Sequence, residues 1–136
     1  MEKPRQLSVE SFRNRNRVLV LFATTASDPD RQEQWELLAG QMEGILDRDI
    51  VVLEVFEKGS ATLDNQPIKL LGTSTLRERF ECRKGEFRAV LIAKDGRSAQ
   101  SFDHPVEPQR LFELIDSTPQ RREEIRNRLG GEPYAG

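Results

Sequence analysis

The chain has 136 residues, with 21 Lys and Arg against 23 Asp and Glu, one Cys, one His and a formal net charge of −2. One Cys excludes an internal disulfide and a Cys-x-x-Cys pair, and one Cys with one His excludes a zinc site built from nitrogen and sulfur ligands alone. The balanced charge excludes a strong field for nucleic acid or an anionic membrane, and the length suits a single domain.

The sequence shows no pattern of an export signal or a membrane span. The first apolar run begins at Val18, too late for the core of a signal peptide, and no stretch approaches the roughly 18 apolar residues that a span needs. We therefore predict a cytoplasmic protein that binds neither membrane nor nucleic acid, although a signal peptide that had been removed would leave the same sequence. We predict one domain over 7–129, a disordered N-terminus over 1–6 and a flexible tail over 130–136.

The first part of the chain predicts a strand followed by a helix. Arg17–Ala23 (RVLVLFA) is a continuous apolar run, which is typical of a strand buried on both faces of a parallel sheet. A loop over 24–27 follows, and then Asp28 precedes Pro29 as an N-cap with proline at the first helical position. Apolar residues at helical spacing predict a helix that continues to about Leu46.

A second strand and a weakly patterned region come next. Ile50–Phe56 (IVVLEVF) is apolar except for Glu54, and with the preceding strand and helix it predicts a right-handed parallel βαβ unit. Turn-forming residues in 57–73 predict only short extended pieces. Ser74 is predicted to cap a short helix that ends near Phe80.

The last third of the chain predicts a hairpin. A third strand over 87–93 is followed by Asp95 and Gly96, which suit a type I′ turn because both central positions of that turn need positive φ. Residues 97–102 then return as an antiparallel edge strand.

Two helices complete the predicted fold. Glu107 opens the first, and Thr118-Pro119 ends it and begins a terminal helix with Ile125 and Leu129 facing inward. The predicted class is α/β, with a central mixed four-stranded sheet flanked by helices. The predicted element order is β-α-β-α-β-β-α plus a C-terminal helix.

Several segments in this order resemble a known family. They are Phe12-Arg13, RVLVLFA at 17–23, Ser27-Asp28-Pro29, DIVVLEV at 49–55, LRERF at 76–80, FRAVLIAKDG at 87–96, LFELID at 111–116 and PQRREEIR at 119–126. The chain, from about Leu7 to Arg128, resembles the DUDES domain, a thioredoxin-like domain of unknown function found in bacteria. In animals that domain occurs in secreted matrix proteins such as equarin and a sushi-repeat protein. The thioredoxin-like order implies that the second strand lies outside the first, followed by the third and the fourth.

The resemblance implies a redox scaffold without dithiol chemistry. Thioredoxin-like redox proteins carry Cys-x-x-Cys at the start of the first helix, where the helix N-terminus stabilises the thiolate. In this chain the two positions fall on Ala26 and Pro29, and neither is a nucleophile. The cis-proline that precedes the third strand in such proteins falls on Arg88. Because the activity of the family is not established, the resemblance implies no substrate.

The loop after the first strand is the best-placed region for a ligand. Thr24, Thr25, Ser27 and Asp28 occupy it, and ligands of open α/β sheets bind beyond the carboxyl ends of strands, near helix N-termini that favour anions. Helix capping by Ser27 or Asp28 explains the same residues, and the Asp28 carboxylate disfavours an anion. If Arg88 faces this loop, as the resemblance implies, an Asp28–Arg88 ion pair is predicted to fill the position of the redox site.

Cys82 is the only thiol of the chain. Arg79, Arg83 and Lys84 lie close to it in sequence and would make it reactive if they depressed its pKa. No resolving Cys exists, and a free Cys often serves only in packing. We therefore favour an unreactive thiol.

The remaining titratable residues favour surface roles. His104, beside Asp103, has the pKa range of a general base, but no motif links it to a nucleophile, so we predict an exposed loop histidine. Acidic residues dilute the arginines and no aromatic residues interleave with them, so we predict a solvated surface with an i,i+4 pair between Glu124 and Arg128. These arginines are Arg13, Arg15 and Arg17 near one end, and Arg121, Arg122, Arg126 and Arg128 near the other.

The sequence thus predicts a thioredoxin-like domain that is a non-redox protein- or ligand-binding module, without catalytic residues, metal or cofactor. Its partner would be a protein or a small ligand at the loop after the first strand. The predicted contacts are Thr24, Thr25, Ser27, Asp28 and Arg88. Two alternatives stay open: a degenerate peroxiredoxin-like or single-thiol redox protein that uses Cys82, and an enzyme with an unrecognised site at the same loop. The edge strand over 97–102 is compatible with a monomer or a weak homodimer.

Overall fold

The computed structural model describes residues 6–58 and 61–130. Its strands are β1 (Gln6–Leu7), β2 (Arg17–Ala23), β3 (Ile50–Phe56), β4 (Ala61–Leu63), β5 (Gln66–Leu70), β6 (Arg88–Ile92) and β7 (Ala99–Phe102). Its helices are α1 (Pro29–Ala39), α2 (Met42–Asp47), α3 (Thr73–Arg79), α4 (Pro108–Asp116) and α5 (Pro119–Gly130), with a 3₁₀ turn at Val9–Phe12.

These strands form one sheet in the order β1-β5-β4-β3-β2-β6-β7. The central strand β2 is parallel to β3 and antiparallel to β6, and β7 closes the sheet antiparallel to β6. The order β3-β2-β6-β7 confirms the predicted thioredoxin-like core. The sheet is wider than predicted, because the weakly patterned region 57–73 supplies the hairpin β4–β5 and the N-terminal residues add β1.

The two hairpins differ from the predicted turn chemistry. The tight turn with two positive φ angles lies at Asp64 and Asn65, where φ is 47° and 69°. The type I′ prediction for Asp95 and Gly96 is wrong, because only Gly96 has a positive φ, 75°. The Asp95 carboxylate accepts hydrogen bonds from the two backbone N–H groups that follow Gly96, at 2.7 and 2.9 Å, and this side-chain turn replaces the predicted one.

The predicted helix over 29–46 is broken in two. Gly40 is the C-cap of α1, and α2 begins only at Met42. Glycine in a helix interior costs about 1 kcal/mol relative to alanine, which favours a break at Gly40. Gly44 has a packing role instead, because a Cβ at that position would lie 2.7 Å from the ring of Phe112 in α4.

Helices cover both faces of the sheet. Side chains alternate along β2, so one set packs beneath α1, α2 and α4 and the other packs beneath α3. The set beneath α1, α2 and α4, which we call the α4 face, includes Leu19, Leu21, Leu38, Ile45, Val52, Leu91, Leu111 and Ile115. The opposite set, the α3 face, includes Val18, Val20, Phe22, Leu53, Val55, Leu76, Phe80 and Val90.

The terminal helix α5 packs through polar side chains. The prediction that Ile125 and Leu129 face inward is wrong, since their residues are 38% and 72% exposed. Arg121 takes the inward position and is buried, because Asp47 at the end of α2 offers it a carboxylate at 2.6 Å. Charged partners on the body of the domain therefore decide which side of α5 faces it.

The ends of the chain are described only in part. Gln6, which was expected to be disordered, lies in β1 opposite Lys69, and Gly130 is the last residue of α5. The other residues of the predicted disordered N-terminus and tail, 1–5 and 131–136, lie outside the described residues. Within the described part, no helix combines the length and the apolar character that a membrane crossing requires.

Candidate functional site

The loop between β2 and α1 is closed by its own hydrogen bonds. Asp28 is the N-cap of α1, and its carboxylate accepts a bond from the backbone N–H of Asp30 at 2.9 Å and from that of Thr24 at 3.3 Å. The hydroxyls of Thr25 and Ser27 lie 3.0 Å apart and bond to each other. The predicted residues Thr24, Thr25, Ser27 and Asp28 are therefore brought together, and they act on one another as a helix cap and turn.

A buried ion pair supports this loop from beneath. Glu54 on β3 is fully buried on the α4 face, and Arg31 in the first turn of α1 reaches it with Nε 2.5 Å from Oε2. The same guanidinium donates to the carbonyl of Ala26 at 2.9 Å, so one side chain joins the loop to the sheet. Trp35 Nε1 at 3.1 Å and Thr62 Oγ1 at 2.7 Å complete the shell of donors around the carboxylate.

The charge on Glu54 is maintained by its donors. Burial opposes ionisation, but the hydrogen bonds from Arg31, Thr62 and Trp35 outweigh it and lower the pKa of Glu54 below its ordinary value. Sequence reasoning missed this group as a site, although the interruption of an apolar strand by Glu54 was the signal. A buried carboxylate in such a run requires a cationic partner, and helical spacing places Arg31 and Trp35 on one side of α1.

Arg88 does not complete the loop. Its guanidinium is paired with Glu86, at 3.7 Å, and the Asp28–Arg88 ion pair predicted from the sequence is not formed. The reason is the register of the sheet, because Arg88 lies opposite Phe22, whose side chain packs on the α3 face. The loop is instead fastened by Arg31 from the α4 face.

Cys82 is a buried thiol of the α3 face. It follows α3 and packs in the same cluster as Phe22 and Phe80. Burial raises the pKa of the Cys82 thiol above its ordinary value, although the guanidinium groups of Arg77 and Arg88 act in the opposite direction. The cations that lower the pKa of Cys82 are therefore not the residues next to it that the sequence indicated, Arg79, Arg83 and Lys84. The net effect is a raised pKa, which does not favour a reactive thiol.

His104 lies on the surface. Its ring nitrogen Nδ1 is 2.9 Å from the Asp103 carboxylate, and both side chains are exposed. The imidazole also packs edge-on against the Phe102 ring, with 6.2 Å between the centroids. This is the exposed loop histidine that the sequence predicts.

The terminal arginines are not all solvated. Arg17 is buried and donates two hydrogen bonds to Glu124, both at 3.2 Å, and Lys94 Nζ lies 2.8 Å from the same carboxylate. The predicted Glu124–Arg128 pair is wrong, because Arg128 reaches Asp47 instead, at 2.9 Å. Burial raises the pKa of Glu124, but the donors Lys94 and Arg17 outweigh it and bring the value to about 2.

A groove of about 340 Å³ lies between the edge strand β7 and the junction of α4 and α5. We call it the β7 groove. Its apolar lining includes Leu91, Leu114, Ile115 and Pro119, and Gln100 and Gln120 contribute polar groups. Arg17 also lines the groove, but its guanidinium is bonded to Glu124 and to the carbonyl of Arg48. A volume in this range is typical of sites that hold small ligands.

Residues 8–124 match a protein family that is described as "Domain of unknown function (DUF4174)". Among solved structures, a reduced 2-Cys peroxiredoxin of Plasmodium vivax is similar, with a TM-score of 0.58, 14% identity and coverage of 85% of this chain and 83% of that one. The pneumococcal exposed lipoprotein thioredoxin of Streptococcus pneumoniae is also similar, with a TM-score of 0.52, 14% identity and coverage of 81% and 90%. At this identity the similarity shows the fold, which is thioredoxin-like.

Proposed function

The chain belongs to the DUF4174 family of domains of unknown function, and from that premise we propose that it is a non-redox binding module on a thioredoxin-like scaffold. The observation that carries the proposal is the β7 groove, an apolar concavity with polar groups at its margin. Its ligand would be a small apolar molecule, or an apolar side chain of a partner protein, that carries a hydrogen-bonding group for Gln100 or Gln120.

The loop after β2 supports the non-redox part of the proposal. Ala26 and Pro29 stand where the fold family carries its cysteines, and Pro29 is the first residue of α1. The Asp28 carboxylate already occupies the positive N-terminal end of α1. The helix dipole therefore stabilises this carboxylate instead of a thiolate. The only thiol, Cys82, is buried on the α3 face and has a raised pKa.

Two assays test the absence of redox chemistry. The protein is expected to leave insulin disulfides intact in the presence of dithiothreitol, and to consume hydrogen peroxide no faster than buffer that contains the same thiol concentration. Turnover in either assay that is lost in Cys82→Ser would contradict the proposal, because Cys82 is the only thiol of the chain. Turnover that survives Cys82→Ser would exclude the single-thiol alternative.

A titration tests the groove. Indole, an apolar ring with one N–H donor, is the probe, and methyl resonances report its position. We expect saturable shifts at Leu91, Leu114 and Ile115, which line the groove.

Gln100→Phe should abolish these shifts, because residue 100 lies opposite Leu91 and its side chain points to the α4 face. Ser101→Phe is the matched control, since residue 101 lies opposite Val90 on the α3 face. Shifts that are absent, or that persist in Gln100→Phe, would exclude the groove as the site.

The alternative is a single-thiol redox protein that uses Cys82. One observation favours it. Arg77 Nη2 and Arg88 Nε are buried and have no hydrogen-bond partner in the described residues, and the charges of both arginines lower the pKa of Cys82. Hydrogen peroxide would transfer one oxygen atom to the thiolate, which gives a sulfenate and water, and the two guanidinium groups would stabilise the oxyanion. Mass spectrometry after peroxide treatment tests it, and a mass increase at Cys82 at low peroxide would favour this function over the binding module.

Two finer assignments belong to the same proposal. The segments at 17–23, 49–55 and 87–96 support kinship with the DUDES domain of bacteria and of animal matrix proteins such as equarin. A cytoplasmic location is part of the same proposal, and fractionation of the native host tests it. Recovery of the protein outside the cytoplasm would contradict that assignment.

A further inference from the structure

Helix α5 presents its apolar residues to solvent. Its inward positions are charged, with Arg121 bonded to Asp47 and Glu124 bonded to Arg17 and Lys94. Ile125 and Leu129, one turn apart, are 38% and 72% exposed. A helix that packs with its polar side inward leaves an apolar stripe without a partner in the described residues.

A second apolar stripe lies on the neighbouring helix α2. Met42 and Leu46 are also one turn apart, and Leu46 is 68% exposed. Asp47 joins the two helices through its bonds to Arg121 and Arg128 in α5. We call the two stripes together the α2–α5 face. The face holds four of the five large hydrophobic side chains that are exposed in the described residues, and the fifth is Leu71. Exposed apolar patches of this kind mark interaction surfaces.

The charges beside the two stripes are opposite. Glu43 lies next to Met42 on α2, and Arg122 lies three residues before Ile125 on the apolar side of α5. Both side chains are exposed, and neither takes part in an ion pair within the described residues. The α2 stripe therefore carries an acidic group and the α5 stripe a basic group, so the face is complementary to itself.

We propose that the α2–α5 face binds a second copy of the chain in a two-fold symmetric dimer. A two-fold interface uses the same patch on both subunits, so α2 of one copy would lie against α5 of the other. That arrangement covers Leu46 with Leu129 of the partner subunit and brings opposite charges together. The β7 groove lies outside this interface, so each copy would keep its own groove and the binding function proposed for it.

Sedimentation velocity over a range of protein concentrations tests the proposal. The wild-type chain is expected to dimerise by about 100 µM, within the range of weak interfaces. Leu46→Glu and Leu129→Glu should each raise the dissociation constant at least about tenfold, because each buries a charge against an apolar partner. Leu71→Glu is the matched control, since Leu71 is an exposed leucine outside the face, and it should leave the constant unchanged.

A charge exchange tests the orientation of the two copies. Glu43→Arg or Arg122→Glu alone should weaken the dimer, and the two together should restore it toward the wild-type constant. Circular dichroism confirms that each variant is folded. A wild-type chain that stays monomeric at the highest concentration, or a dimer that Leu129→Glu and Leu46→Glu leave unchanged, would overturn the proposal.

Discussion

Arg31 and Glu54 form an ion pair directly beneath the loop in which thioredoxin-like redox proteins carry their cysteines. Arg31 Nε lies 2.5 Å from Glu54 Oε2, and a second nitrogen of the same guanidinium holds the carbonyl of Ala26 in that loop. Glu54 is fully buried, so its charge depends on this partner. One side chain, Arg31, thus fixes the loop to a buried carboxylate of the sheet.

Removal of Arg31 should destabilise the domain strongly. Arg31→Met leaves a buried carboxylate without its cation, and such losses cost about 3–5 kcal/mol in the free energy of unfolding. Glu54→Met in the same chain should recover much of that loss, because it removes the uncompensated charge. Urea unfolding measures both variants. Arg110→Met, which breaks only the exposed pair with Glu113, is the control and should change stability by less than about 1 kcal/mol. Equal effects of Arg31→Met and Arg110→Met would refute the role of the buried pair.

The free energy of unfolding should decrease when the pH is lowered, because Glu124 then becomes protonated. The pKa of this carboxyl is about 2 in the folded chain, below its ordinary 4.5, so its stabilising contribution is complete above pH 4.5 and is lost as pH falls toward 2. We expect Glu124→Gln to cost about 3 kcal/mol at pH 7 and little near pH 2. Thermal unfolding as a function of pH measures the difference.

Glu123→Gln provides the comparison for that experiment. Glu123 occupies the same helix and is exposed, and its one ion-pair partner among the described residues is Arg126. Its replacement should shift stability by less than about 0.5 kcal/mol at any pH. If Glu123→Gln and Glu124→Gln show the same pH profile, the inward contacts of α5 do not stabilise the fold.

Two glycines near the break between α1 and α2 should respond differently to alanine. A Cβ at residue 44 would meet the Phe112 ring at 2.7 Å, so Gly44→Ala should cost about 1–3 kcal/mol by overpacking. A Cβ at residue 40 meets nothing within 4 Å, and the φ of Gly40 is −81°, so Gly40→Ala should be neutral or stabilise by up to about 1 kcal/mol. Chemical unfolding of the two variants measures both changes in stability. If Gly40→Ala costs more than Gly44→Ala, the Phe112 ring of α4 can move away from residue 44.

The thiol of Cys82 should react slowly in the folded protein. Its raised pKa and its burial reduce both the thiolate fraction and the access of a reagent. We expect iodoacetamide at pH 8 to modify it at least about tenfold more slowly than a cysteine in a model peptide, and at the same rate as the peptide in urea. A folded-state rate equal to that of the peptide would restore the single-thiol alternative.

The apolar strands of the core could be predicted from the sequence because they are buried on both faces. Arg17–Ala23 and Ile50–Phe56 have the bounds that their apolar runs indicate. The hairpin β4–β5 was not recognisable, since its strands are short and half-exposed and its turn residues Asp64 and Asn65 resemble those of any loop. The turn type at Asp95 depends on the hydrogen bonds that its carboxylate accepts from the backbone N–H groups of Arg97 and Ser98. The spacing of residues in the sequence does not determine these bonds.

The arrangement of the loop after β2 could be predicted from the sequence, its cationic partner could not, and ligand binding at this loop stays a prediction. The loop residues from Thr24 to Asp28 do meet at the start of α1, because a strand and a helix of known order leave them no other place. The cation beneath them is Arg31 and not Arg88, because the sheet register sends Arg88 to the other face. The side of α5 that faces the domain was predicted wrongly for a similar reason. Apolar periodicity does not show that Arg17 and Lys94 bind the Glu124 carboxylate.

The Asp28 cap also sets a condition for protein engineering. Cysteines placed at positions 26 and 29 would recreate the spacing of a dithiol centre, but the sulfur at 26 would ionise beside a resident carboxylate. A neighbouring carboxylate disfavours the thiolate, so we expect the new centre to be a weaker nucleophile at neutral pH than one without Asp28. A designer would first have to replace Asp28 with a neutral cap such as serine, which keeps the helix start and frees the positive end of α1.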